Sequence, residues 1–547
     1  MMDATRTNTK KSFLSGVLLL SLSTVLVKAI GLIYKIPMLT YLGSEGMGYF
    51  NSAYEIYALF SVIATAGLPV ALSVLISRAI AKGESARVTR IYRAAMTVFL
   101  WIGILGALAM VLFAGTFCKW IKNQNAYFCI LSIAPTLFFV CLSSALRGFF
   151  QGHQRMLPTA ISQLLESAGK LVFGLMLARY ALNRGYSTPY VAAFAGIGLS
   201  LGTALSALYL VLEKRRFARK FAMQTALQNQ TFSVKYREIW KKLAKLAIPM
   251  TLGASLVSVT KLIDMAMILR RLQSIGYSEL SANAAYGSYT TLALSVYGLI
   301  PSLVNAVALP LVPMLSAAIA AGDRGRQENL IRTSYRLTSL LAIPAALGVA
   351  AFAEPILSLL FGSDPNAVAQ ASPLLSYLGV SVFLSCMITA TNSVLHAYEA
   401  VNRPILSMLA GAVIKIVSAY FLIGIPNIAL LGAPISTFLC NTTVVLLNLY
   451  FAFGLCRING MSRLFFKPLL CAALSIGASV CLYWSLGQRV EQSVAFLAAF
   501  ATAAFGYLLA CCLFGGFSAE DLALLPFGEK LCRLLCRVHL LKKTEID

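Results

Sequence analysis

Eight ionisable side chains stand where the sequence is otherwise apolar: Lys28, Lys35, Glu55, Glu166, Lys170, Lys261, Asp264 and Lys415. Each lies in a hydrophobic run of membrane-spanning length. A charge at the centre of such a helix costs about 2.5–3.5 kcal/mol on insertion scales, so residues kept at that cost default to functional roles. The chemistry of this set is electrostatic. Lysine holds phosphate as a point charge, and five lysines stand here against three carboxylates. A cationic surplus fits an anionic ligand, a phosphate or pyrophosphate.

Lys28 and Lys35 are two helical turns apart, so they share a face with about 10.5 Å between them along the axis. Ser21, Thr24, Lys28, Gly31 and Lys35 form a polar stripe that belongs inside a bundle rather than against lipid. No acidic residue stands three or four positions from Lys28, Lys35 or Lys415 in the sequence. Glu166 and Lys170 are spaced i,i+4 in the favourable order, and two readings stand: they line a cavity, or they neutralise each other. Lys261 and Asp264, at i,i+3, carry the same two readings. All eight residues form the candidate substrate-binding set, with no catalytic and no metal-binding residue.

Such residues need many helices to position them. The chain has 547 residues, of which 59% are hydrophobic and 12% charged. A soluble protein carries about 25% charged residues. Fourteen apolar runs of spanning length follow one another, near 13–41, 50–77, 94–117, 127–146, 159–181, 190–212, 243–268, 284–315, 334–353, 373–397, 405–423, 431–455, 464–485 and 493–516. They are continuous rather than alternating, which excludes a transmembrane barrel. The first is too long for a cleaved signal peptide and contains two lysines. The expected fold is an all-α polytopic membrane protein with 14 transmembrane helices.

The net charge of +25 is unevenly placed. Segments on the side of the N-terminus, with their membrane edges, hold 33 of the 45 lysines and arginines, and those on the other side hold 7. This is the positive-inside bias, which puts both termini in the cytoplasm and requires an even number of spans. The basic excess therefore reads as topology and attraction to anionic membrane lipids, not as a nucleic-acid surface. The twelve cysteines lie mostly within the apolar runs and show no CxxC, so they read as small buried hydrophobes; Cys118 and Cys129, flanking one outer loop, have the option of pairing.

The halves of the chain look related. Lys28 aligns with Lys261, Gly83 with Gly322, His153 with His396 and Lys170 with Lys415, at offsets that grow slowly from 233 to 245. Six spans return the second half to the same face, so the repeat is parallel, as in transporters that rock around a midplane cavity. The expected division is a first lobe over 1–212, a basic cytoplasmic linker over 213–242, a second lobe over 243–456, two further helices within 457–517, and an interfacial amphipathic helix over 518–547. There is no Walker A or HExxH motif, and the glycines of "GIGLSLG", 196–202, read as helix packing.

The stretches "KAIGLIYKIPMLTYLGSEGMGYF", "GLPVALSVLISRAIAKG" and "LRGFFQGHQRMLPTAISQLLESAGKL" closely resemble the SpoVB/YtgP-type polysaccharide-biosynthesis proteins. "LIDMAMILRRL", "AAYGSY" and "LPLVPMLSAA" continue the likeness into the second half. That family shares a superfamily with the MurJ lipid II flippases and the MATE exporters. The resemblance implies two pseudo-symmetric six-helix lobes around a central cavity, with helices 13–14 forming a groove for a polyprenyl tail. It implies a flippase moving an undecaprenyl-pyrophosphate-linked saccharide outward across a bacterial plasma membrane. MurJ proteins require an arginine in helix 1 with glycine three residues later; Lys28 with Gly31 fits that pattern. The Arg-Asp pair that follows there is Tyr34-Lys35 here, and the helix 2 basic residue has no counterpart in 56–77.

The expected protein is thus a monomeric transporter rather than an enzyme. It uses no cofactor and couples to membrane potential or a monovalent ion. A cation-coupled multidrug exporter is the alternative; it calls for an acidic, aromatic cavity and twelve spans. A membrane glycosyltransferase calls for acidic catalytic residues in the first outer loop, and 42–49 holds only Glu45.

Overall fold

The structure, a computed structural model, describes residues 2–225, 236–308, 311–400, 402–456 and 461–513. Every regular element among them is helical. The first compact unit ends at Thr291. It contains α1 (Met2–Thr65), α2 (Gly67–Ala81), α3 (Ser85–Leu112), α4 (Ala114–Ile121), α5 (Tyr127–Gly152), α6 (Leu157–Asn183), α7 (Thr188–Thr225), α8 (Tyr236–Ser274) and α9 (Glu279–Ser288). The second begins at Leu292. It contains α10 (Leu294–Ala308), α11 (Leu311–Ala320), α12 (Arg324–Ala351), α13 (Ala353–Phe361), α14 (Pro365–Ala397), α15 (Asn402–Ile423), α16 (Gly432–Phe453), α17 (Met461–Gly487) and α18 (Gln492–Leu513). A π-helical segment, Tyr289–Ala293, joins α9 to α10, and the division between the units falls inside it.

Twelve described helical stretches are long and apolar enough to cross a bilayer. The first of them, Ser23–Ala81, is 59 residues long, far beyond the roughly 20 that span about 30 Å of hydrocarbon. It is not one rod. Gly43 adopts φ 63 and ψ 176 inside α1, and the chain leaves helical geometry again at Ala66. The eighth apolar run, 284–315, is likewise interrupted, by the π segment. Of the basic segment 213–242, α7 continues to Thr225 and α8 begins at Tyr236. The amphipathic helix expected over 518–547 lies outside the described residues.

Small residues let the helices of the first unit approach closely. A Cβ on Gly198 would stand 2.3 Å from the Gly174 Cα, and one on Gly202 would stand 2.4 Å from the Lys170 N. These glycines of α7 pack on α6, as read from "GIGLSLG". That stretch also carries the spacing G-x-S-x-G at 198–202. Its Ser200 is buried in mid-helix, and its hydroxyl bonds the Thr136 Oγ1 at 2.6 Å and donates to the Ser132 carbonyl at 3.0 Å. A spent hydroxyl inside a straight helix is a packing element, not a nucleophile.

Two pairs of turns recur between the halves. Gly83 and Gly322 both close helices in the left-handed region, with φ 73 and φ 70. Each turn is sealed by a bond from the next N–H back to an alanine carbonyl, Glu84 to Ala79 and Asp323 to Ala318. Gln154 and Glu399, both at φ 58, end α5 and α14 in the same way, with Arg155 N–H bonding the Phe150 carbonyl and Ala400 N–H the Leu395 carbonyl. This second pair corrects the expected alignment. His153 caps α5 where Tyr398 caps α14, so the counterpart of His153 is Tyr398 rather than His396.

Candidate functional site

Seven of the eight candidate residues belong to the first unit. Lys28, Lys35 and Glu55 stand on α1, Glu166 and Lys170 on α6, Lys261 and Asp264 on α8. Within that unit α1 packs against α6, α8 and α9. Lys28 is exposed, and the charge of Lys261 acts on it. Lys35 is half-buried within the fields of Lys170, Lys261 and Glu55. Lys261 of α8 thus acts on both α1 lysines, Lys28 and Lys35, and Lys170 of α6 acts on Lys35. Tyr286, buried on α9, lies within the fields of both Glu55 and Asp264, which ties the two carboxylates to the same neighbourhood.

The π segment completes the site. Its shifted hydrogen-bond pattern, a feature that recurs at functional positions, meets a side-chain donor from α1: Lys35 Nζ donates to the Thr290 carbonyl at 3.2 Å. Asn51 Nδ2 donates to the Thr290 and Thr291 hydroxyls at 2.8 and 2.9 Å. Further along, Asn123 Nδ2 donates to the Asn283 Oδ1 at 2.6 Å and to the Ser52 hydroxyl at 3.2 Å. The crossing of α1 and α9 is tight enough that a Cβ on Gly287 would stand 1.8 Å from the Ser44 carbonyl oxygen. The residues around this crossing are held both by these polar bonds and by buried bulk, including Met47, Tyr49, Tyr286 and Tyr289.

The pairings differ from the sequence expectation. Among the described residues the ion pair of Glu166 is with Arg147, not with Lys170. Its carboxylate accepts from Arg147 on α5 at 2.7 Å, and Arg147 also donates to the hydroxyls of Ser162 at 2.9 Å and Ser206 at 3.2 Å. Arg147 reaches Glu166 from a neighbouring helix and is the more shielded of the two, with its side chain 15% exposed. Lys170 instead sits over aromatic faces, with Nζ 5.0 Å from the Tyr34 centroid, 5.0 Å from Tyr54 and 5.7 Å from Phe50. Among the described residues it makes no ion pair, although the field of Glu166 still reaches it. Cys118 and Cys129 are separate buried thiols.

Lys415 belongs to α15 of the second unit. Its charge acts on Tyr297, whose hydroxyl bonds Ser385 and accepts from Asn441 Nδ2 at 3.0 Å. Sequence reasoning missed Arg147 because the apolar run was closed at residue 146, whereas α5 continues to Gly152. The apolar "GFF" after Arg147 was the available signal. It missed Asn51 and the two threonines because uncharged polar residues are common in spanning helices, and no periodicity marks a π turn.

After Arg147 takes up Glu166, Lys28, Lys35, Lys170 and Lys261 remain on α1, α6 and α8, with Glu55 acting on Lys35. The arrangement can bind an anion by charge and hydrogen bonds at several points, and it holds one lysine, Lys35, against a backbone carbonyl. Among the described residues no group of histidine, cysteine or carboxylate side chains is placed to hold a metal.

Comparison with known proteins places these features in context. The family model described as "Polysaccharide biosynthesis protein" matches residues 13–318, and the model named MatE matches residues 249–421. The chain is 26% identical over 436 residues to the lipid II flippase MurJ of Bacillus subtilis (strain 168), covering 77% of this chain and 78% of that protein. It is 23% identical over 445 residues to stage V sporulation protein B of the same organism, covering 80% and 83%. Among solved structures, the inward closed conformation of the lipid II flippase MurJ superposes with a TM-score of 0.66 at 15% identity, over 91% of this chain and 98% of that one. An inward-facing multidrug resistance MATE family transporter of the MOP superfamily superposes with a TM-score of 0.63 at 15% identity, over 82% and 98%. The fold is therefore the all-helical, multi-pass membrane fold of MurJ and MATE proteins.

Proposed function

We propose a function from one premise, that the chain belongs to the polysaccharide biosynthesis protein family, whose model covers more than half of it. On our reading it is a flippase that carries an undecaprenyl-pyrophosphate-linked saccharide from the inner to the outer leaflet by alternating access. The observation that carries this reading is the grouping of Lys28 and Lys35 of α1 with Lys261 of α8, while Lys170 of α6 adds its charge beside Lys35 from its aromatic seat. A pyrophosphate is the anionic part of such a lipid, and lysine ammonium groups hold it without a fixed bidentate geometry. The saccharide rides in the cavity and the polyprenyl tail stays in lipid beside α17 and α18. Likeness to a protein named lipid II flippase supports a lipid-linked glycan as the cargo class.

We read fourteen spans. The 59-residue stretch Ser23–Ala81 has length for two crossings, and α9, the π segment and α10 together have length for one. The recurring turns at Gly83 and Gly322, and at Gln154 and Glu399, support two related six-span lobes. The positive-inside bias supports cytoplasmic termini, and we take the working unit as a monomer coupled to membrane potential or a monovalent ion. The MatE match over 249–421 keeps a cation-coupled drug exporter as the second reading. A cavity with surplus lysine is poorly suited to cationic drugs.

Complementation tests this. Expression in a bacterium depleted of its own lipid II flippase is expected to restore growth when the cargo is lipid II. Failure to rescue at normal membrane abundance, together with gain of resistance to cationic drugs, would overturn the reading in favour of export.

A further inference from the structure

The second unit has a cavity that the flippase reading does not use. It lies where α12 and α17 end and α14 and α18 begin, with α13 alongside, and measures about 610 Å³. That is within the usual range of small-molecule sites. These ends lie away from Arg324 and Arg326 at the start of α12 and from Lys467 near the start of α17, so the charge bias assigns them to the outer face.

Its wall has two chemistries. Phe352 and Phe496 are buried and pack with centroids 5.9 Å apart, and Tyr483 meets Phe352 edge-on at 5.9 Å. This makes a firm aromatic floor. Above it, Trp484 is 73% exposed, and Glu354 and Gln492 line the same cavity. Among the described residues the side chains of Glu354, Gln492 and Trp484 make no hydrogen bond, so their bonding capacity is unspent. An acyl chain would leave a carboxylate and an amide facing hydrocarbon, and a phosphate would meet the Glu354 charge. A pyranose answers both chemistries. Its flat C–H face packs on an indole, and its ring hydroxyls donate to a carboxylate and an amide oxygen.

We propose that this outer cleft is a saccharide-binding site, in which the Trp484 ring supports a sugar face and Glu354 and Gln492 hydrogen-bond its hydroxyls. The site deepens the flippase reading and rests on it for the origin of the sugar, which reaches this face on the delivered lipid or as free glycan.

Saturation-transfer NMR on the full-length chain in nanodiscs tests it, with N,N′-diacetylchitobiose and maltose as probes. Saturable transfer to at least one disaccharide at millimolar concentration is expected. Trp484→Ala is expected to abolish it and Trp484→Phe to retain part. Glu354→Gln is expected to weaken binding about tenfold, since it replaces a charged acceptor by a neutral amide oxygen. Both positions are exposed, so the variants are expected to remain monodisperse. No saturable transfer to either sugar, or transfer unchanged in Trp484→Ala and Glu354→Gln, would overturn the proposal. Adding lipid-linked glycan to the nanodisc identifies the source: displacement of the disaccharide marks the cargo's own glycan, and persistence marks free glycan. A parallel lipid-translocation assay keeps the claims apart. Flipping without sugar binding refutes the cleft alone, and sugar binding without flipping refutes the flippase alone.

Discussion

Lys28 and Lys170 are both lysines in apolar helices, yet their surroundings give them different work. Lys28 is exposed beside Lys261, with two like charges in one neighbourhood. That repulsion is relieved when an anion arrives. We predict that Lys28→Gln abolishes transport at normal membrane abundance and that Lys28→Arg keeps part of it; full transport by Lys28→Gln would refute the assignment. Lys170 is held by three aromatic faces, and such contacts contribute about 0.5–2 kcal/mol. Lys170→Gln should therefore lower abundance only slightly. Arg147→Gln is the damaging change, because it strands the Glu166 carboxylate. Breaking a fully buried pair costs about 3–5 kcal/mol, and less here, where the two side chains are 15% and 26% exposed. Fluorescence-detected size-exclusion profiles should show a large loss for Arg147→Gln and substantial recovery when Glu166→Gln is added. A single variant as abundant as the parent would show that the pair is not structural. The charged residues themselves were legible in the sequence because each interrupts an apolar run. Their partners were not, because Arg147 reaches Glu166 from α5, far away in sequence, and the i,i+4 lysine offered a nearer partner.

The elements were legible where composition alone decides them. Apolar length located the spanning helices, and the glycines of 196–202 identified a packing face. The interruptions were not legible: Gly43 bends α1 and the π segment divides α9 from α10, with no motif to announce either. Both are placed to matter. The α1–α9 crossing joins Lys35, Asn51 and Gly287 to a segment in which the two compact units divide. A methyl group at Gly287 cannot fit 1.8 Å from the Ser44 carbonyl, so Gly287→Ala must part the helices. We predict that a cysteine at Ser44 reacts faster with a soluble maleimide in the Gly287→Ala background. An unchanged rate would mean that the crossing is already open to solvent. At the C-terminal end, deletion of 464–547 should leave a core that inserts but no longer transports, if α17 and α18 hold the lipid tail. Full activity of that truncation would make the pair accessory.

For the whole molecule, the sequence carried the class and the family, because hydropathy and charge bias report on the membrane directly. The internal repeat was legible in outline and wrong in one detail. Histidines 153 and 396 align as letters, but the backbone equates His153 with Tyr398 through the matched turns at Gln154 and Glu399. A turn conserves its φ angle more faithfully than its side chain, so conformation corrects an alignment that identity misplaces. The charge bias predicts cytoplasmic termini, and a reporter fused after Asp547 that reads as external would overturn the fourteen-span topology. The central claim is that the grouped lysines carry a pyrophosphate-linked saccharide across the membrane. Its most direct test uses proteoliposomes with a fluorescent undecaprenyl-pyrophosphate saccharide in one leaflet and an impermeant quencher outside. The account predicts that the parent chain equilibrates the lipid between leaflets and that Lys28→Gln, equally incorporated, does not. Equal translocation by both, or none by the parent under an imposed potential and sodium or proton gradient, would contradict it.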